Sequence, residues 1–103
     1  MKKQVINKAN WSGESAEIQF SEPTVENPGR LVIPDLDLDL ILKVESLLEN
    51  NDWIKAYDGD ELIAHAFEVD PGEWIASTSS LKDFHRVGKN PYVVISEILF
   101  NII

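Results

Sequence analysis

The sequence predicts an α+β fold: a small, mainly antiparallel sheet of about five strands packed against one or two helices. Three observations lead there. Ala16, Ile18 and Phe20 alternate with Glu17, Gln19 and Ser21, the period of two that marks a half-buried strand. Asp58-Gly59 stands between Trp53 to Tyr57 and Asp60 to Val69, and Asp-Gly readily supplies the positive φ of a two-residue hairpin loop. Leu36 to Asn50 places apolar residues at 36, 40, 41, 44, 47 and 48, the spacing of one helical face.

Taken in order, Gln4 to Ala9 has weak strand character, and Trp11-Ser12-Gly13 follows as a turn signal. The strand containing Ala16, Ile18 and Phe20 is limited by Pro23. Asn27-Pro28-Gly29 has turn chemistry, proline presetting its own φ and glycine tolerating a positive one. Leu31 to Ile33 returns as an antiparallel partner. In the predicted helix over 36–50, Asp35 or Asp37 accepts first-turn amides and suits the positive end of the helix dipole, and Asn50-Asn51 ends it. The strict alternation of Leu36, Asp37, Leu38, Asp39 and Leu40 also fits a strand, so the helix start falls as late as Asp39.

A two-residue loop at Asp58-Gly59 would set Tyr57 opposite Asp60, Lys55 opposite Leu62, Ile54 opposite Ile63 and Asp52 opposite His65. Asp70-Pro71-Gly72 is a second turn, and Trp74 to Ser77 adds a third strand to this meander. Ser77 to Ser80 caps a short helix from Leu81 to Val87 that Gly88 stops. Asn90-Pro91 opens the last element, with Asn90 as cap. Tyr92 to Ile103 is apolar enough for a buried helix or a buried strand; the helix is favoured.

The chain is 103 residues long, the size of one small domain, residues 1–103, and about a third of it is Leu, Ile, Val or Phe, enough to fold. It contains no cysteine, which removes disulfides, zinc or iron–sulfur thiolates and covalent thiol chemistry. Met1-Lys2-Lys3 is not followed by the apolar run of a signal peptide, and no apolar stretch is long enough to span a bilayer. These features predict a soluble, cytoplasmic protein.

Charge is distributed unevenly. Between Asp35 and Glu73 twelve acidic residues face only Lys43 and Lys55, a net of −10 in a chain whose formal charge is −9. Such a surface repels phosphate backbones and anionic headgroups and attracts basic proteins. The same charge also serves solubility. Direct nucleic-acid and membrane binding are therefore disfavoured, and a basic protein partner is favoured.

Catalytic and metal motifs are weak. Asp35, Asp37 and Asp39 imitate the first ligands of a calcium loop, but Leu40 and Ser46 stand where that loop requires Gly and Glu. Asp58, Asp60 and Glu61 at the hairpin tip read as a solvated turn. His65 and His85, the only imidazoles, would need carboxylates beside them for acid–base or metal work, and the spacing demands neither. Ser77, Ser79 and Ser80 lack a nucleophile elbow, and there is no phosphate-binding glycine loop. No cofactor and no enzymatic activity are expected. Trp11, Trp53, Trp74 and Tyr92 read first as core, whereas Tyr57 adjoins the acidic tip and suits an interface anchor.

In size, acidity and lack of a catalytic motif, the chain resembles the immunity proteins with which bacteria neutralise toxin domains, including those of contact-dependent growth inhibition. The resemblance implies an antitoxin-like inhibitor that presents acidic residues to a basic nuclease site. The residues expected to contact such a partner are Tyr57, Asp58, Asp60, Glu61, Asp52, Glu49 and Glu45. Two other readings stay open: a nucleic-acid mimic with carboxylates spaced like phosphates, and a small enzyme with His65 or His85 in a pocket.

Overall fold

A computed structural model describes residues 2–7, 15–48, 51–78 and 85–102. Among these residues eight strands form one antiparallel sheet in sequence order: β1 (Lys2–Asn7), β2 (Ser15–Ser21), β3 (Gly29–Ile33), β4 (Leu38–Leu48), β5 (Asn51–Asp58), β6 (Glu61–Asp70), β7 (Glu73–Thr78) and β8 (His85–Gly88). One helix, α1 (Pro91–Ile102), follows. The α+β class and the antiparallel meander agree with the sequence, but the strands number eight rather than about five. No helix among the described residues is long and apolar enough to cross a membrane.

The expected helix over 36–50 is replaced by a single 3₁₀ turn, Pro34–Leu36, and the eleven-residue strand β4. Two periods compete in this segment. The alternating one buries Leu40 and Leu42 and half-buries Leu38 and Val44, while Asp39, Ile41, Lys43 and Glu45 face out. It also satisfies the backbone on both sides, pairing β4 with β3 and with β5. A lone helix would satisfy its own backbone and leave both neighbouring strands without a ladder. Asp37 caps no helix; it takes the left-handed conformation at φ 53° that ends the 3₁₀ turn, which a short polar side chain tolerates.

The hairpin of β5 and β6 forms, with Gly59 at φ 63° as its composition requires. Its loop is Gly59-Asp60 rather than Asp58-Gly59, since Asp58 pairs with Glu61. An irregularity between Ala56 and Tyr57 then shifts the register again, so Lys55 faces His65, Ile54 faces Ala66 and Trp53 faces Phe67. Asp52 and His65 are consequently not partners. The Pro71-Gly72 turn into β7 forms as expected, with Gly72 at φ 78°. Gly29 does not use positive φ; its role is close approach, since a Cβ there would collide with the carbonyl of Ser21 and the nitrogen of Pro23.

The short helix expected over Leu81–Val87 is overturned where it is described, because 85–88 form β8 against β7; residues 79–84 lie outside the described residues, as do the Trp11-Ser12-Gly13 turn and Glu49. Gly88, expected to stop that helix, instead lets α1 approach, for a Cβ there would sit 2.7 Å from Cγ2 of Val94. The last element is the helix that was favoured. Asn90 caps it, its Oδ1 accepting from the amides of Tyr92 at 2.9 Å and Val93 at 3.2 Å.

Contact between α1 and both β2 and β6 to β8 requires a curled sheet. Laid flat, β2 and β7 would lie about 24 Å apart, more than twice a helix diameter. Instead Phe20 of β2 stacks on Tyr92 of α1 at 4.6 Å, and Asn90 donates to Gln4 of β1 at 3.2 Å. The inner face explains where the helix settles. Ala56, Ala64, Ala66 and Ala76 are fully buried neighbours across β5, β6 and β7, and this small-residue floor admits the large Ile95, Ile98 and Leu99 of α1.

Candidate functional site: an acidic rim

Strand direction brings two acidic turns to the same end of the sheet. Ile33 pairs with Leu38 around the 3₁₀ turn, Asp58 with Glu61 around the hairpin loop, and Ile41 with Tyr57 between β4 and β5. The β3–β4 and β5–β6 turns are therefore neighbours, about two strand spacings or 10 Å apart. Asp35 and Asp37 occupy the first, Asp58, Asp60 and Glu61 the second, and all five are exposed. Neither turn contains Lys or Arg. Fields from carboxylates this close overlap at physiological ionic strength, where the Debye length is about 8 Å.

Below the rim the outer face of the sheet is balanced in charge rather than acidic. Arg30 grips Asp39 through Nε at 3.1 Å and through a second contact from its terminal nitrogen to Oδ2. Lys55 pairs with Glu45 at 3.1 Å and Lys3 with Glu17 at 3.6 Å. Lys43 lies 5.2 Å from the ring centroid of Tyr57, and Lys55 4.6 Å from that of Trp53.

The residues expected to contact a partner are therefore divided. Asp58, Asp60 and Glu61 stand together on the rim. Tyr57 borders it, half-buried on the outer face, with its ring already covered by Lys43. Glu45 is on that face but engaged by Lys55. Asp52 faces the inner side at the opposite end of β5, about 20 Å along the strand from Asp58. Asp35 and Asp37 join the rim instead, a grouping that the strand alternative for 36–40 would have signalled, since a strand there needs a turn before it.

The other candidates do not assemble a catalytic or metal centre. Among the described residues no group of three His, Asp or Glu side chains is placed to hold a metal ion. The Nε2 of His65 lies 2.8 Å from Ser77 Oγ across β6 and β7, while its Nδ1 is buried with no hydrogen-bond partner. Burial, and then the Lys55 ammonium, pull the His65 pKa below its ordinary value. A serine–histidine hydrogen bond is present, but the second ring nitrogen meets no carboxylate that would orient the ring for general-base work. His85 lies in β8, where its backbone pairs with Ser77.

Set beside protein families, characterised proteins and solved structures, the chain matches none of them.

Proposed function

We propose that this protein is a binding module that neutralises a basic protein partner in the cytoplasm, as an immunity protein does with a toxin nuclease domain, and that it does no chemistry of its own. The observation that supports this reading is the gathering of Asp35, Asp37, Asp58, Asp60 and Glu61 on two adjacent turns that contain no basic residue. Carboxylates held on short turns of a sheet lose little entropy on contact and steer a cationic surface towards them. Tyr57, at the border, anchors the partner once Lys43 moves off its ring. A nuclease domain is the partner that best fits, because a site built for phosphates is cationic and is blocked by carboxylates laid over it.

The experiment compares the wild-type chain with Asp58→Asn/Asp60→Asn/Glu61→Gln as baits for proteins of its own host at low and high salt. A basic protein held by wild type at low salt, released at high salt and lost by the triple variant is the expected result. The captured protein is then assayed for nuclease activity with and without the chain, and inhibition is expected. Retention that ignores both salt and the triple substitution would refute the acidic rim as the recognition surface.

A further inference from the structure

We infer, on the reading of the rim as the site for a basic partner, that the Tyr57 ring seats an arginine guanidinium of that partner and that Lys43 is a built-in competitor for the same seat. The ring already carries a cation, since Lys43 Nζ lies 5.2 Å from its centroid. What makes that cation displaceable is its neighbourhood. Lys43 stands directly opposite Lys55 across β4 and β5, a like-charge pair whose side chains turn apart. Lys55 turns to Glu45 at 3.1 Å and to the Trp53 ring at 4.6 Å, and its side chain is 18% exposed. Lys43 turns to Tyr57, is exposed, and pairs with no carboxylate among the described residues. One lysine is anchored and the other is held by a ring alone.

Strand pairing leaves Lys43 somewhere to go. The pairing of β3 with β4 ends at Gly29 and Leu42, so beyond Leu42 this flank of β4 faces the 24–28 loop instead. There Lys43, Val44 and Glu45 border a cleft of about 300 Å³ whose opposite wall is that loop, with Glu26 on it. A Lys43 side chain displaced from Tyr57 thus has room, and carboxylates in the lining of that room, on the other flank of its own strand. The vacated ring adjoins Asp58 in the chain and faces Ile41 across the strands, and Ile41 is 40% exposed. An arginine suits this ledge. Its methylenes cover Ile41, its planar head stacks on Tyr57, and the N–H groups at the edge of that plane are left for rim carboxylates. A lysine brings a point charge on a flexible stem and has no plane to stack.

The probes are the blocked peptides Arg-Gly-Arg and Lys-Gly-Lys, titrated into the intact chain at low salt and followed by NMR. In the free chain the ε-methylene protons of Lys43 should be shielded by the Tyr57 ring. Saturation with Arg-Gly-Arg should return them to the shift of an unshielded lysine, and Lys-Gly-Lys should displace them less readily. Lys43→Met keeps the stem and removes the charge. Because losing a positive charge also favours cations at long range, the substitution is made both in the wild-type chain and in Tyr57→Leu. Arg-Gly-Arg binding should tighten about two- to fivefold more where the ring is present, the strength of one exposed cation–π contact. Four results would overturn the inference: Lys43 protons that stay shielded with peptide bound, equal tightening with and without the ring, Lys-Gly-Lys acting as readily as Arg-Gly-Arg, or no peptide binding to either the wild-type chain or Lys43→Met. The reading of the rim is decided separately, by whether the wild-type chain captures a basic host protein that Asp58→Asn/Asp60→Asn/Glu61→Gln loses, so either can fail alone.

Discussion

Glycines of one composition do unlike work at Gly29 and Gly59. Gly59 has open space around it but a φ of 63°, so an added side chain meets only backbone strain, and Gly59→Val should cost about 1 to 3 kcal/mol. At Gly29 a methyl group would enter the backbone of Ser21 and Pro23, which cannot swing aside as a side chain can. Gly29→Ala should therefore cost more, about 3 kcal/mol or above, and urea midpoints of the two variants measured together check the order. His65 adds a dependence on pH. Its folded pKa lies below the unfolded value of 6.5, so between the two the unfolded chain binds more protons. The contribution of His65 to stability is fully present above about pH 6.5 and is lost as pH falls below that value towards the folded pKa. His65→Gln, which removes the titration, should flatten the dependence of the denaturation midpoint on pH between about 7 and 5.

At the scale of elements, α1 and the sheet depend on each other. Asn90 closes the first turn of the helix and donates to Gln4 of β1, so Asn90→Ala should cost about 1 to 2 kcal/mol, read from thermal or chemical unfolding. The alanine floor sets the distance of the helix. Ala66→Leu would force α1 outward and should cost about 1 to 3 kcal/mol. The segment 36–50 shows why such elements are hard to read singly. Its apolar residues satisfy a helical face and a strand face at once, and the sequence itself carries the alternation from Leu36 to Leu40. Pairing with β3 on one side and β5 on the other settles the conflict, and that pairing lies outside the 36–50 segment whose pattern is ambiguous.

For the whole molecule, the acidic rim is expected to cost stability. Five like charges on adjacent turns repel in the folded chain and spread apart in the unfolded one. The variant Asp58→Asn/Asp60→Asn/Glu61→Gln should unfold at a higher temperature than wild type at low ionic strength, and the difference should shrink as salt shortens the Debye length from about 10 Å at 0.1 M to about 3 Å at 1 M. A variant that is more stable yet fails to hold a basic partner would mark these charges as kept for binding rather than for folding.

The sequence by itself determined the local pieces: the alternating strand through Ala16, Ile18 and Phe20, the turns at Gly59 and Gly72, the cap at Asn90, and the acidic middle of the chain, while it left the segment after Pro91 between helix and strand. Each depends on residues a few positions apart, whose steric limits, hydrogen bonding and periodicity act within a short window. Tertiary structure decided the rest. The exact loop of the β5–β6 hairpin moved by one residue, and an irregularity between Ala56 and Tyr57 shifted its register, neither of which the turn residues alone specify. Asp35 and Asp37 joined Asp58, Asp60 and Glu61, while Asp52 went to the far end, because a strand separates residues along its length and a sheet joins turns at its ends. Charge along the chain is a property of composition; charge at a surface belongs to topology, which only the joining of successive strands into one sheet supplies.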